Sequence, residues 1–209
     1  MVNNKMVNRK LKLILPLITC CFALSLQAQT AKEVFISLPE SLFVDLNTYT
    51  RMDLVDLYQA GLPAELRNSF DDVLVLEKLT PDYLRLNTGT GSLQIIVLKM
   101  INDSQLYCLI HTVCASVCDS RLEFYSPSWN RLNTDALITP ASSSFFVEEN
   151  PNFPGLDIPF MQWVYEPETS VLQQVYNTPD YLNLDDRQAV QALIKTKTKN
   201  YQWTGIRFE

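Results

Sequence analysis

The chain has 209 residues, of which 47% are hydrophobic and 19% charged, so it supports one folded core and is not disordered, collagen-like or a coiled coil. A single histidine and five glycines argue against multi-histidine metal sites and glycine-rich phosphate loops. The formal net charge is −6, with 23 acidic and 17 basic side chains.

The N-terminus has the order of regions that is typical of a secretory signal peptide. Residues 1–12 carry basic side chains and no acid, residues 13–26 form an apolar stretch, and the small residue Ala28 offers a cleavage site. We therefore predict a signal peptide over residues 1–28. The apolar stretch is too short for a transmembrane helix, which needs about 20 apolar residues.

Cleavage leaves one predicted domain, residues 29–209, in the periplasm or on the outer surface of the cell. It keeps 13 basic and 23 acidic side chains, a formal charge of −10, which argues against a nucleic-acid partner because phosphates need clustered Lys and Arg. We expect no transmembrane helix in the mature chain. Cys20 and Cys21 leave lipid attachment open, although Thr19 stands where such signals favour Gly or Ala.

Helical segments are predicted first and short strands follow. Ser37 is expected to open one helix, and Thr50 to cap a second that ends at Gly61. Five segments rich in β-branched and aromatic residues are predicted as strands, over 73–78, 83–87, 93–101, 105–114 and 121–125. The turns between them are short enough to join only antiparallel neighbours. The predicted fold is therefore α+β, an antiparallel meander sheet with helices packed on one face.

An irregular connection is predicted over residues 139–159, which contain four prolines and three consecutive serines. Two further strands, 160–165 and 171–176, precede a helix that begins at Asp185 and a terminal segment over 201–208.

The pentapeptide at 80–84 recurs identically at 178–182. Duplication of a strand–turn unit and convergence on favourable turn residues both explain this repeat.

Three cysteines follow the signal peptide, and an odd number in an oxidising compartment predicts one disulfide and one free thiol. We predict a disulfide between Cys114 and Cys118, which are separated by three residues. Cys108 has apolar neighbours, which favours a buried free thiol.

His111 lies between Cys108 and Cys114, a spacing that suggests a metal site or a cysteine–histidine pair. On an extended strand, however, the two cysteines share one face while His111 points to the other. We therefore expect no metal, no cofactor and no catalytic residue in this segment.

Paired carboxylates are the remaining catalytic candidates. Each of four such pairs has a structural explanation, because it lies at a helix N-terminus, in a turn or in a polar loop. These pairs are Asp53 with Asp56, Asp71 with Asp72, Glu148 with Glu149, and Asp185 with Asp186. A hydrolase that uses carboxylates assembled by the fold stays open as an alternative function.

Several segments together resemble a known family. They are residues 50–56, 79–86, 111–121 and 201–209, and the most specific is the run that contains Cys114 and Cys118. They resemble an uncharacterised family of exported proteins from Bacteroides-type bacteria, which is a domain-of-unknown-function family. The resemblance covers nearly the whole mature chain and implies export and a single domain. It implies no activity, cofactor or catalytic residue.

An exported binding module without catalysis is the function that the sequence favours, since aromatic and acidic residues are plentiful and catalytic groups are missing. Its expected partner is an envelope protein or another envelope component. Phe145, Phe146 and Phe153 are flanked by Ser and Pro and are predicted to form the contact surface. Alternatively, these rings hold the connection to its own domain.

Overall fold

The structure is a computed structural model that describes residues 28–68, 71–148, 156 and 158–209. Several residues named above lie outside this range: residues 1–27 of the predicted signal peptide, with Cys20 and Cys21, and also Glu149 and Phe153.

A six-stranded antiparallel sheet forms the centre of the fold. Its strands are β1 (Glu65–Arg67), β2 (Val73–Leu79), β3 (Tyr83–Asn87), β4 (Gly91–Lys99), β5 (Gln105–Cys114) and β6 (Cys118–Tyr125). Each strand pairs with the next one along the chain, so the sheet is a meander. This arrangement confirms the predicted α+β class and its antiparallel sheet. The short strand β1 was not predicted.

Helices α1 (Ala31–Ser37) and α2 (Thr48–Gln59) pack on one face of this sheet. The helix expected to begin at Ser37 in fact ends there, because Leu38 precedes a proline and adopts an extended conformation. Thr30 caps α1 by accepting a hydrogen bond from the backbone of Glu33. The cap of α2 was also misplaced, since Asn47 accepts the hydrogen bond from the Thr50 backbone N–H.

A second, three-stranded antiparallel sheet packs on the opposite face. It contains β7 (Met161–Glu166), β8 (Val171–Tyr176) and β9 (Thr198–Gln202). Buried Gln94 of β4 links the two sheets, because its side-chain oxygen accepts hydrogen bonds from the Tyr83 hydroxyl at 3.0 Å and from the Tyr165 backbone N–H at 3.1 Å.

Four short helices complete the described part of the chain. They are α3 (Thr134–Leu137), α4 (Ser143–Phe146), α5 (Thr178–Tyr181) and α6 (Leu184–Gln191). Asn183 caps α6 in place of the predicted Asp185, by accepting a hydrogen bond from the Asp186 backbone N–H at 3.0 Å. Within the described ranges, no helix is long and apolar enough to cross a membrane.

The repeated pentapeptide adopts two different structures. In the first copy, Thr80 accepts a hydrogen bond from the Tyr83 backbone N–H in the turn before β3. In the second copy, residues Thr178–Tyr181 form α5. The repeat therefore does not mark two copies of one structural unit, which favours convergence over duplication.

Candidate functional site

A cleft of about 310 Å³ opens at one end of the six-stranded sheet, where the connection between α1 and α2 passes over it. We call it the polar cleft. Its lining includes the polar residues Ser41, Asp45, Asp72, Thr88, Thr90 and His111, together with Phe43, Val44 and Val113.

Strand alternation explains which side chains reach this cleft. Leu109 of β5 faces the helices, so His111 and Val113, two and four residues further on, point to the same side. Thr112 points to the opposite face, where its hydroxyl is hydrogen-bonded to that of Ser120 at 2.8 Å. Residues at the ends of neighbouring strands thus meet under the connection between α1 and α2.

Gly91 brings β4 and β5 close together beneath the cleft. It pairs with Val113, and a Cβ atom at position 91 would lie 1.9 Å from the carbonyl oxygen of Thr112. Any side chain there would push the strands apart, so glycine is required by this close approach.

Two groups in the cleft, His111 and Asp45, have shifted pKa values, and both shifts favour the uncharged form. Burial lowers the pKa of His111, and the charge of Arg121 lowers it further, while Glu123 opposes the shift. The imidazole is therefore neutral at pH 7. Burial also raises the pKa of Asp45, and the nearby charge of Asp72 acts in the same direction.

Five of the polar side chains that line the cleft have no hydrogen-bond partner among the described residues: Ser41, Asp45, Thr88, Thr90 and His111. Ser41 and Thr90 are exposed and the other three are half-buried, so their polar groups face the space inside the cleft. The cleft therefore presents hydroxyl, carboxylate and imidazole groups to whatever occupies it.

The cysteines lie apart from these groups. Cys108 is fully buried on the opposite face of β5, against the second sheet, and burial raises the pKa of its thiol, so it is a poor nucleophile. The sulfur atoms of Cys114 and Cys118 lie at bonding distance across the turn between β5 and β6. No group of three or more metal-ligating side chains occurs among the described residues.

The predicted contact rings have different environments. Phe146 is fully buried and stacks on Tyr176, with ring centroids 5.4 Å apart. This burial contradicts a contact role for Phe146 and agrees with the alternative that the ring holds the connection to its domain. Phe145 is 43% exposed and lies edge-on to Phe146. Phe153 is not among the described residues.

Among the described members of the carboxylate pairs, Asp72 alone lines the cleft. Asp71 forms an exposed ion pair with Arg67, and Asp185 and Asp186 lie in the first turn of α6. Asp45 was not predicted, because it lies in a connection that has no periodic pattern.

Comparison with known proteins places the chain in a family. Residues 23–208 match a family described as "Protein of unknown function (DUF3256)". A solved domain of an uncharacterized protein from Porphyromonas gingivalis W83 shares the fold, with a TM-score of 0.73 and 21% sequence identity over 87% of this chain and 99% of that chain. No curated protein matches. The predicted resemblance to a domain-of-unknown-function family is thereby confirmed, and the chain belongs to the DUF3256 family.

Proposed function

We propose that the chain is an exported binding module whose polar cleft holds a component of the cell envelope. The observation that carries this proposal is the convergence of Ser41, Asp45, Thr88, Thr90 and His111, whose side chains make no hydrogen bond to another described residue. A catalytic nucleophile would need a base within hydrogen-bond reach. His111 has no such contact with a hydroxyl or thiol in the described part of the chain.

Export is supported by two features of the sequence and fold. Residues 1–28 have the charge and hydropathy pattern of a signal peptide. The Cys114–Cys118 pair is at bonding distance, and disulfides persist mainly in oxidising compartments. The proposed location is the periplasm or the outer surface.

The charge of the cleft restricts its ligand. Among the residues that the structure describes, neither lysine nor arginine lines it, and Asp45 and Asp72 both contribute acidic groups. The mature chain also carries a formal charge of −10. A neutral or cationic ligand is therefore favoured over an anionic one, and nucleic acid is disfavoured.

A second candidate function is an envelope hydrolase. The pKa of Asp45 is raised by burial and by Asp72, and two carboxylates in one cleft with different environments are the arrangement that general acid–base hydrolysis uses. In this mechanism Asp45 would donate a proton to the leaving group and Asp72 would act as the base.

Sedimentation with isolated peptidoglycan sacculi and with outer-membrane fragments tests the proposal. We expect the mature protein to sediment with one of these fractions, and the double variant Asp45→Asn, His111→Gln to lose at least tenfold in affinity. Asp135→Asn is the matched control, since Asp135 is exposed on α3, which does not line the cleft.

The same samples separate the two candidate functions. The supernatant is analysed by chromatography for soluble fragments of the envelope. Fragments that appear with the wild type and not with Asp45→Asn would support the hydrolase and contradict the binding module. Equal sedimentation of the wild type and the double variant would exclude the cleft as the binding site.

A further inference from the structure

We propose that the polar cleft takes an N-acetylated amino sugar, an inference that rests on the binding function proposed above. Such a sugar presents hydroxyl groups, an amide N–H, an amide carbonyl and a methyl group. The side chains of the cleft offer a counterpart for each of these groups.

Ser41, Thr88 and Thr90 supply the counterparts for hydroxyl groups. Each side-chain hydroxyl both donates and accepts, as each sugar hydroxyl does. None of the three side chains makes a hydrogen bond among the described residues, so binding a sugar breaks no hydrogen bond within the protein that they now make.

Asp45 and His111 supply the counterparts for the amide. The Asp45 carboxylate, which has no hydrogen-bond partner in the described part of the chain, accepts from an amide N–H. Neutral His111 has one ring N–H that donates to an amide carbonyl. Asp45 and Asp72 repel a sugar that carries a phosphate or carboxylate, and no basic side chain in the described lining of the cleft compensates for this repulsion.

Val44 and Val113 supply the apolar contact. They line the cleft and are 74% and 66% exposed, so both methyl-bearing side chains face solvent at its mouth. An acetyl methyl group that packs against them removes apolar surface from water on both sides. This contact distinguishes an N-acetylated sugar from one with a hydroxyl or free amine at the same carbon.

Three disaccharides that differ at that carbon test the proposal by calorimetric titration of the mature protein. N,N′-diacetylchitobiose carries the N-acetyl group, chitobiose carries the free amine, and cellobiose carries a hydroxyl. We expect diacetylchitobiose to bind about tenfold more tightly than cellobiose, which is the low end of what one apolar group contributes to discrimination.

The variant Val44→Ser should lower the affinity for diacetylchitobiose more than the affinity for cellobiose, so that most of this preference is lost. Ile206→Ser is the control, because Ile206 is an exposed aliphatic residue outside the cleft, and it should keep the preference. Circular dichroism of each variant verifies that it is folded.

Two outcomes would overturn the proposal. Equal binding of all three disaccharides, or tightest binding of chitobiose, would show that the acetyl group is not recognised. Absence of binding to all three, with sedimentation on envelope fractions that still depends on Asp45 and His111, would reject the sugar while the binding module stands. If that sedimentation also fails, the proposed function itself is wrong.

Discussion

Phe145 and Phe146 are adjacent in sequence and have opposite environments, so replacing each one by serine separates a core role from a contact role. Phe146→Ser should destabilise the fold by about 3 kcal/mol or more, because the ring is fully buried against Tyr176. Phe145→Ser should cost less than about 1 kcal/mol, since that ring is partly exposed. Urea unfolding of both variants measures the difference. Equal losses would contradict the placement of these rings.

His111 makes stability depend on pH in a defined direction. Its pKa is lowered in the folded state, so the unfolded chain binds the proton more readily and stability falls as the pH drops through about 6.5, the pKa of an unperturbed histidine. Asp45 has the opposite sign, since its raised pKa favours the folded state in acid, below the histidine range.

The expected result is that the melting temperature of the wild type falls between pH 7.5 and pH 5.5, and that of His111→Gln falls less. Both proteins are measured by thermal unfolding in the same buffers. A fall of the same size in both would show that His111 is as accessible to protons in the folded state as in the unfolded chain.

Strand alternation alone predicts that the side chains of His111 and Cys108 point to opposite sides of one strand. The structure places them on opposite faces of β5, one under the helices and one against the second sheet. Strand alternation does not predict that Asp45 and Ser41 line the cleft, because both lie in a connection whose path depends on how α1 and α2 pack. Helix ends were also misjudged where more than one residue offered a cap, as with Asn47 and Thr50.

The proposed disulfide between Cys114 and Cys118 closes the turn between β5 and β6. By the loop-entropy relation, closing so small a ring stabilises the fold by about 2 kcal/mol. We expect a Cys114→Ser, Cys118→Ser double variant to lose about that amount in urea unfolding. Cys108 is unchanged in both proteins, so the difference in their free energies of unfolding comes from the Cys114–Cys118 pair.

Peptide mapping under non-reducing conditions gives the pairing itself. Denaturation in an alkylating reagent should label Cys108 alone, since it is the free and buried thiol. Label on all three cysteines, or a bridge that includes Cys108, would contradict the pairing across the turn.

The meander was predictable because its connections are short, and short connections leave only antiparallel neighbours as partners. The second sheet was not predictable as a separate layer. Its position on the first sheet depends on contacts between distant residues, such as the hydrogen bonds of Gln94 with Tyr83 and Tyr165. The pentapeptide repeat also shows that local sequence does not determine structure alone, since identical residues form a turn at Thr80 and a helix at Thr178.

The proposed export predicts where the mature chain begins. We predict that its first residue is Gln29 or lies within two residues of it. Gln29 is tied to β5, because its backbone N–H donates to the side chain of Gln105 at 2.8 Å and its carbonyl accepts from the same side chain at 3.2 Å. Intact mass spectrometry of the exported protein checks this position. Retention of Met1, or a lipid on Cys20 or Cys21, would contradict it.

We propose that the polar cleft of the mature chain holds a component of the cell envelope, and the histidine that lines it gives the most direct test. His111 is the only histidine in the chain, so the two carbon-bound protons of its imidazole give the only histidine ring signals in the NMR spectrum. Titration of the mature protein with the uncharged disaccharide N,N′-diacetylchitobiose should shift these signals saturably, without hydrolysis of the disaccharide. His111 signals that stay unchanged while the disaccharide binds elsewhere, or hydrolysis of the disaccharide during the titration, would contradict this proposal.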